Sequence, residues 1–185
     1  SVASFFVSRV DTAVDPLIDA RIELHDDSQS ISTLLGTAAI ANAQAAYGNF
    51  QQIFSSARFE RLKKRGAHPQ RPLWASTSTK NPSYPDTLYV DSLIGPDTVN
   101  TMPDVAVKAF MDHGVSKITI VGAGTTAHQA LERLADIGID MDSVTDQLLR
   151  EGVDAFAKSY NTVLQTIEDK ATALATAPHA TKVFL

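Results

Sequence analysis

The stretch RPLWASTSTKNPSYPDTLYV, residues 71–90, decides how this sequence is interpreted, because an apolar run gives way abruptly to hydrogen-bonding residues. A strand predicted over residues 72–77 leads into hydroxyl side chains at positions 76–79 and the ammonium of Lys80, and prolines end the run. Hydroxyls, backbone N–H groups and a positive charge just past a buried strand suit a phosphate, which accepts many hydrogen bonds. The stretch therefore predicts binding of a phosphorylated small molecule.

Composition narrows the class of protein. The 185 residues are 44% hydrophobic and 20% charged, which is typical of one globular core. No apolar run is long enough to span a membrane and the N-terminus lacks a leader pattern, so we expect a cytoplasmic protein without a membrane partner. The absence of cysteine excludes disulfides and thiolate chemistry. The net charge of −5 argues against a nucleic-acid partner.

Hydrophobic periodicity predicts an α/β protein. Residues 2–10 are apolar at nearly every position, which predicts a strand buried on both faces. Helical spacing follows over residues 11–24, with Pro16 expected in the first turn, and over 32–64, with a kink expected near Gly48 and an end at Gly66. Further elements are a strand at 98–102 and helices at 86–93, 104–113, 125–137 and 141–174. Strands alternating with helices predict a parallel sheet with functional groups at the strand ends.

The first strand and the C-terminal tail suggest that the domain extends beyond these elements. An apolar strand at residues 2–10 with an open edge would promote aggregation, so we expect further strands to precede it. Residues 171–185 are interpreted as a tail, which either links to another domain or docks on the wall of this one.

Four segments carry a family resemblance: SVASFFVSRVDTAVD at 1–15, GTAAIANAQAAY at 36–47, the stretch at 71–90, and IGPDTVNTMPD at 94–104. A looser match covers residues 134–160. The chain resembles the C-terminal half of a transaldolase of the long bacterial type, found alone or fused to a phosphoglucose isomerase. The resemblance implies that residues 1–170 are strands six to eight and the closing helices of a (β/α)8 TIM barrel, and that a fused isomerase domain after residue 185 is a possible partner.

The resemblance also implies a reaction. Transaldolases of the pentose phosphate pathway transfer a dihydroxyacetone unit from sedoheptulose 7-phosphate to glyceraldehyde 3-phosphate through a lysine Schiff base, without metal or organic cofactor. In the family the Schiff-base lysine, the acid/base carboxylate and a first-strand aspartate lie upstream of the matching segments. We therefore expect this chain to be inactive alone, with the missing N-terminal half of the barrel as its partner.

Four residues match the site pattern of the family. The resemblance places Ser4 beside the Schiff base and assigns Arg9, Ser78 and Lys80 to the substrate phosphate. Many shorter transaldolases carry arginine where Lys80 stands. Lysine keeps the positive charge but cannot form the two-pronged contact with phosphate that arginine can.

The residues alone leave other roles open for these positions. Arg9 is also suited to an ion pair with Asp11 or Asp15, Ser4 to packing, and Lys80 to solvation or to imine formation. Asn100 suits either the site or a strand-end cap, and Trp74 is predicted to lie in the core.

Two rival functions remain open. One is a non-catalytic structural module that has lost turnover. The other is a dinucleotide-binding oxidoreductase domain, because a β-branched run from Lys117 leads into a G-x-G-x-x-A pattern built on Gly122 and Gly124. Against it, residues 138–144 are too polar for the second strand of such a unit, and a helix capped by Thr125 or Thr126 is preferred. The five histidines are scattered without metal-ligand spacing, so no metal site is predicted.

Overall fold

The structure, a computed structural model, describes residues 1–24 and 27–176. Ser1–Thr145 forms one compact unit, and a second begins at Asp146. The strands are β1 (Val2–Phe6), β2 (Arg71–Ala75) and β3 (Val99–Asn100). The helices are α1 (Val7–Ile22), α2 (Ser28–Ser32), α3 (Ala38–Phe54), α4 (Ala57–Lys63), α5 (Leu88–Ser92), α6 (Asp104–His113), α7 (Gly124–Asp136) and α8 (Met141–Thr176).

The three strands form a parallel sheet in the order β1-β2-β3. Ser4 lies opposite Leu73, which in turn lies opposite Val99. Trp74, on the central strand, is 1% exposed and donates from Nε1 to the carbonyl of Leu93 at 3.1 Å. The predicted α/β class with a parallel sheet and the predicted core position of Trp74 are both confirmed.

The strand predicted over residues 2–10 is wrong beyond Phe6, because helix α1 begins at Val7. The buried apolar residues Val7, Val10, Val14 and Ile18 follow one another at helical spacing. The part that is a strand is not buried on both faces, since Val2, Ala3 and Ser4 are exposed. As a sheet edge, β1 pairs with β2 alone among the described residues.

Pro16 lies well inside α1 and not in the first turn as predicted. A proline there removes the hydrogen bond to the carbonyl four residues earlier. That carbonyl belongs to Thr12, and both Thr12 and Pro16 are exposed. Water can therefore satisfy the freed carbonyl.

The helix predicted over residues 32–64 is two helices, α3 and α4, because Gly36 lies in the turn before α3 and Ser56 separates α3 from α4. Gly36 has φ +71° between α2 and α3, and Ser56 caps the N-terminus of α4. α3 runs through Gly48 without interruption, so the kink expected there stays a prediction, and Gly66, at φ +91°, follows the end of α4 as predicted.

The C-terminal helices agree with prediction in their positions. α6 has the predicted bounds. α7 begins at Gly124 after an N-cap at Ala123, so the cap predicted at Thr125 or Thr126 is wrong. α8 extends through Thr176, and the rest of the tail predicted at 171–185 lies outside the described residues.

Residues 114–119 have no regular secondary structure. The β-branched run that precedes Gly122 is therefore not a strand, and the first element of a dinucleotide-binding unit is not formed. No helix among the described residues has the length and apolar character needed to cross a membrane.

Candidate phosphate site and its carboxylate bridges

The ends of the three strands are tied together at one edge of the sheet. The amide of Ser8, just after β1, donates to the carbonyl of Ser76, just after β2, at 3.1 Å. The hydroxyl of Thr77 donates to Oδ1 of Asn100, at the end of β3, at 2.9 Å. Thr77 is fully buried, and Ser76 adopts φ +53°. The chain that leaves β2 is thus fixed on both sides before it reaches Ser78.

The structure brings two of the four predicted site residues into contact. Lys80 Nζ donates to Ser78 Oγ at 3.0 Å, with Ser78 half-buried and Lys80 exposed. Arg9 lies in the first turn of α1, half-buried, with its guanidinium carbon 4.3 Å from the ring centroid of Phe6. Ser4 lies midway along β1 and is exposed. The end of β2 therefore presents a hydroxyl and an ammonium together.

Asp11 forms the first of two carboxylate bridges that start from α1. Its Oδ1 accepts from the amide of Ala39, in the first turn of α3, at 2.7 Å. Its Oδ2 accepts from the hydroxyl of Tyr89, on α5, at 2.7 Å. Asp11 is 2% exposed, and this burial raises its pKa to about 6 against the lowering effect of both hydrogen bonds. The pKa of the Tyr89 hydroxyl is raised by burial and by the charge of Asp11, so Tyr89 stays a donor.

Asp15, one turn later on α1, forms the second bridge. Its Oδ1 accepts from the amide of Gly36 at 3.0 Å, and its Oδ2 accepts from the hydroxyl of Tyr84 at 2.7 Å. Burial raises the pKa of Asp15, and burial together with the hydrogen bond to Asp15 raises that of Tyr84. The Tyr84 ring lies so close to Gly36 that an added Cβ would be 2.9 Å from Tyr84 Cζ. Gly36 is thus needed both for its positive φ and for this close approach.

Both aspartates were predicted only as alternative partners for Arg9, and their roles as bridges were missed. Each carboxylate has both oxygens engaged by an amide and a tyrosine hydroxyl. The four-residue spacing of Asp11 and Asp15 on a helix places them on one face, which was the available signal. Their donors lie 21 to 78 residues away in the sequence, where local spacing carries no information.

A cleft of about 280 Å³ lies along this face of α1. Asp11, Asp15, Tyr84 and Lys80 all line it, together with Asp19. The candidate phosphate cation and the two bridges therefore share one cleft.

The chain is thus a parallel α/β protein that gathers a hydroxyl and an ammonium just past the end of its central strand. Residues 1–167 match the family described as Transaldolase/Fructose-6-phosphate aldolase, and the chain belongs to that family. The resemblance carried by the four sequence segments is thereby confirmed.

Proteins named transaldolase from three bacteria illustrate the similarity. The chain is 48% identical to that of Saccharopolyspora erythraea over 171 residues, which are 92% of the chain and 45% of the relative. The identity is 47% over 169 residues with that of Mycolicibacterium smegmatis, covering 91% and 44%. With that of a Parafrankia species it is 50% over 171 residues, covering 92% and 45%. The chain spans about half the length of the curated relatives that it matches.

Proposed function

We propose that this chain is the C-terminal part of a cytoplasmic transaldolase of the pentose phosphate pathway. It contributes strands six to eight and the closing helices of a (β/α)8 TIM barrel, and the N-terminal half of that barrel completes the enzyme. The observation that carries the proposal is the pair of Ser78 and Lys80, in hydrogen-bond contact just past the end of β2, in a chain of this family. The names of the relatives supply the reaction.

The proposed reaction transfers a dihydroxyacetone unit from sedoheptulose 7-phosphate to glyceraldehyde 3-phosphate. A lysine in the N-terminal half attacks the ketose carbonyl and forms a Schiff base with loss of water. The protonated iminium accepts the electron pair of the C3–C4 bond as that bond breaks and erythrose 4-phosphate leaves, so the carbanion is held without metal or organic cofactor. The carbanion then adds to the aldehyde carbon of glyceraldehyde 3-phosphate, and water hydrolyses the imine to release fructose 6-phosphate and the lysine. A carboxylate of the N-terminal half, acting through water, moves the protons.

The residues of this chain hold the substrate. Arg9 offers two parallel N–H donors to two phosphate oxygens, whereas Lys80 offers a single ammonium. Ser78 supplies a hydroxyl donor beside Lys80, and the existing contact between the two side chains supports a shared anion. Ser4, on β1, is assigned to the neighbourhood of the Schiff base.

Borohydride trapping with fructose 6-phosphate tests where the nucleophile lies. We expect covalent labelling of the full-length protein and none of the chain of residues 1–185, because borohydride fixes the sugar to the protein only where an imine has formed between them. Labelling of this chain at Lys80 would show that the nucleophile is Lys80 and not a lysine of the N-terminal half. A full-length protein that is neither labelled nor active would favour the non-catalytic module.

The phosphate assignment is tested separately in the full-length enzyme. Arg9→Ala combined with Ser78→Ala removes a charge-assisted contact and a neutral donor, so we expect the KM for fructose 6-phosphate to rise at least tenfold. The matched control is Arg58→Ala combined with Ser55→Ala, which removes the same groups from exposed positions. Equal KM values for the two double variants would remove Arg9 and Ser78 from the site.

A further inference from the structure

The segment that carries Ser78 and Lys80 is tied to α1 at three points. Its start is held by the amide of Ser8 on the carbonyl of Ser76. Further along, Tyr84 and Tyr89 donate to Asp15 and Asp11, each at 2.7 Å. Ser78 and Lys80 lie between the first and second of these points. The positions of both site residues relative to α1 are therefore set by the contacts on either side of them.

Arg9 belongs to the same helix. It follows Ser8 directly and lies within one turn of Asp11, so the contacts that fix the segment also fix it relative to Arg9. The same two carboxylates also tie α1 to the start of α3, through the amides of Gly36, just before that helix, and of Ala39 in its first turn. A carboxylate whose two oxygens both accept hydrogen bonds cannot rotate without breaking one of them. Each bridge therefore fixes the position of its tyrosine relative to α1.

The tyrosine hydroxyls also occupy carboxylate oxygens in the cleft that Lys80 lines. Asp11, Asp15 and Lys80 line one cleft, and a bare carboxylate there would compete with a substrate phosphate for the ammonium. Within the described part of the chain, Lys80 donates to Ser78 and makes no ion pair with either aspartate. Tyrosine hydroxyls and backbone amides thus occupy the oxygens of Asp11 and Asp15. Asp19, the third aspartate of the cleft, is exposed, and within the described part of the chain it makes no ion pair with Lys80 either.

We propose that Asp11 and Asp15, acting through Tyr89 and Tyr84, are positioning residues that hold Ser78 and Lys80 in fixed register with Arg9 for binding of the substrate phosphate. The identity of the anion rests on the proposed function. The fixed register rests on the hydrogen bonds alone.

Removal of the two hydroxyls in the full-length enzyme tests the link to phosphate. In Tyr84→Phe combined with Tyr89→Phe, we expect the preference in kcat/KM for fructose 6-phosphate over unphosphorylated fructose to fall about tenfold, since two hydrogen bonds that fix the donors are lost. The change lies in KM for the phosphorylated sugar, with kcat kept within about threefold. The matched control is Tyr47→Phe, which loses a hydroxyl donated to the carbonyl of Pro96 at 3.1 Å and keeps the wild-type preference.

Amide hydrogen exchange over residues 77–83 of the same proteins tests the register itself. We expect exchange to quicken at least tenfold in the double tyrosine variant and to stay unchanged in Tyr47→Phe. Asp15→Asn, which keeps an acceptor for the Gly36 amide, serves if the double variant fails to fold, and we expect it to change exchange in the same direction.

The outcomes separate the two proposals. An active enzyme whose double variant keeps its phosphate preference overturns the positioning role, and so does unchanged exchange. A wild-type protein without turnover defeats the proposed function, and the exchange rates then decide whether the bridges position the segment.

Discussion

Asp11 is a buried acid whose two oxygens accept hydrogen bonds, among the described residues, from two neutral donors, the amide of Ala39 and the hydroxyl of Tyr89. Burial outweighs both bonds and raises its pKa to about 6, whereas the unfolded chain has the ordinary value of about 3.9. Between these two values the folded state binds more protons than the unfolded state. The contribution of Asp11 to stability is therefore present below about pH 4 and is lost as the pH rises through about 6.

Asp11→Asn tests this contribution, because the amide keeps the shape and an acceptor but carries no charge. We expect the free energy of unfolding of the variant, relative to wild type, to rise by on the order of 3 kcal/mol between pH 4 and pH 7. Denaturant unfolding of both proteins at the two pH values measures it. The control is Asp154→Asn, which makes the same substitution at an exposed position. A pH-independent difference for Asp11→Asn would contradict the buried, titrating carboxylate.

Among the elements, the break between α3 and α4 is not predicted by the apolar pattern. Phe54, at the end of α3, and Phe59, in α4, pack edge to face with ring centroids 4.7 Å apart. The apolar stripe thus continues across the break. Ser56 makes the break possible, because its hydroxyl accepts from the amide of Phe59 at 3.3 Å and its backbone is extended.

Ser56→Ala removes the cap of α4. An N-cap serine satisfies a helix amide that has no partner within the helix, and its loss costs about 0.5–2 kcal/mol of stability. We expect a destabilisation in that range by thermal or denaturant unfolding. Ser55→Ala, one residue earlier and outside the N-cap position of α4, should change stability by less than about 0.5 kcal/mol. Equal effects of the two substitutions would show that the hydroxyl of Ser56 does not act as a cap.

Sequence alone predicted those elements whose boundaries depend on local chemistry. α6 is bounded by Pro103 at its N-cap and Gly114 at its C-cap, so its limits could be predicted from neighbouring residues. The change from β1 to α1 could not, because Val7 and Val10 fit both an apolar strand and a helical stripe. The contact that favours the helix joins Ser8 to Ser76. These residues are far apart in the sequence, so the contact cannot be predicted from neighbouring residues.

The site shows the same limit. Ser78 and Lys80 lie two residues apart, so their contact follows from a local pattern. The bridges from Asp11 and Asp15 depend on which distant amides and hydroxyls the fold brings near α1. The family resemblance assigned Arg9 to the substrate phosphate, which stays a prediction, and it did not predict the bridges.

At the scale of the whole molecule, each unit carries apolar surface that a folded protein normally covers. In the first, β1 leaves one strand edge unpaired within the described residues and exposes Val2. In the second, α8 exposes large apolar side chains at alternating spacings of four and three residues, namely Leu149, Val153, Phe156, Tyr160, Val163 and Ile167. Of the four residues that flank this face at seven-residue intervals, Arg150 is charged but Ala157, Leu164 and Ala171 are not, unlike those beside a two-stranded coiled-coil seam. A face this broad suits coverage by a folded layer.

We therefore expect the chain of residues 1–185 to self-associate when it is separated from the rest of the enzyme. An unpaired strand edge can pair with a strand of another molecule, and an exposed apolar face promotes association with other apolar surfaces. Sedimentation at rising concentration and binding of a hydrophobic dye measure the two effects. Phe156→Asp combined with Ile167→Asp should reduce dye binding, whereas Lys158→Asp combined with Asp169→Lys, on the same helix, should not. The full-length protein should show neither effect, because the proposed N-terminal half covers these surfaces. A chain that stays monomeric and binds no dye at about 100 μM, well inside the range where exposed edges aggregate, would mean that these surfaces need no partner.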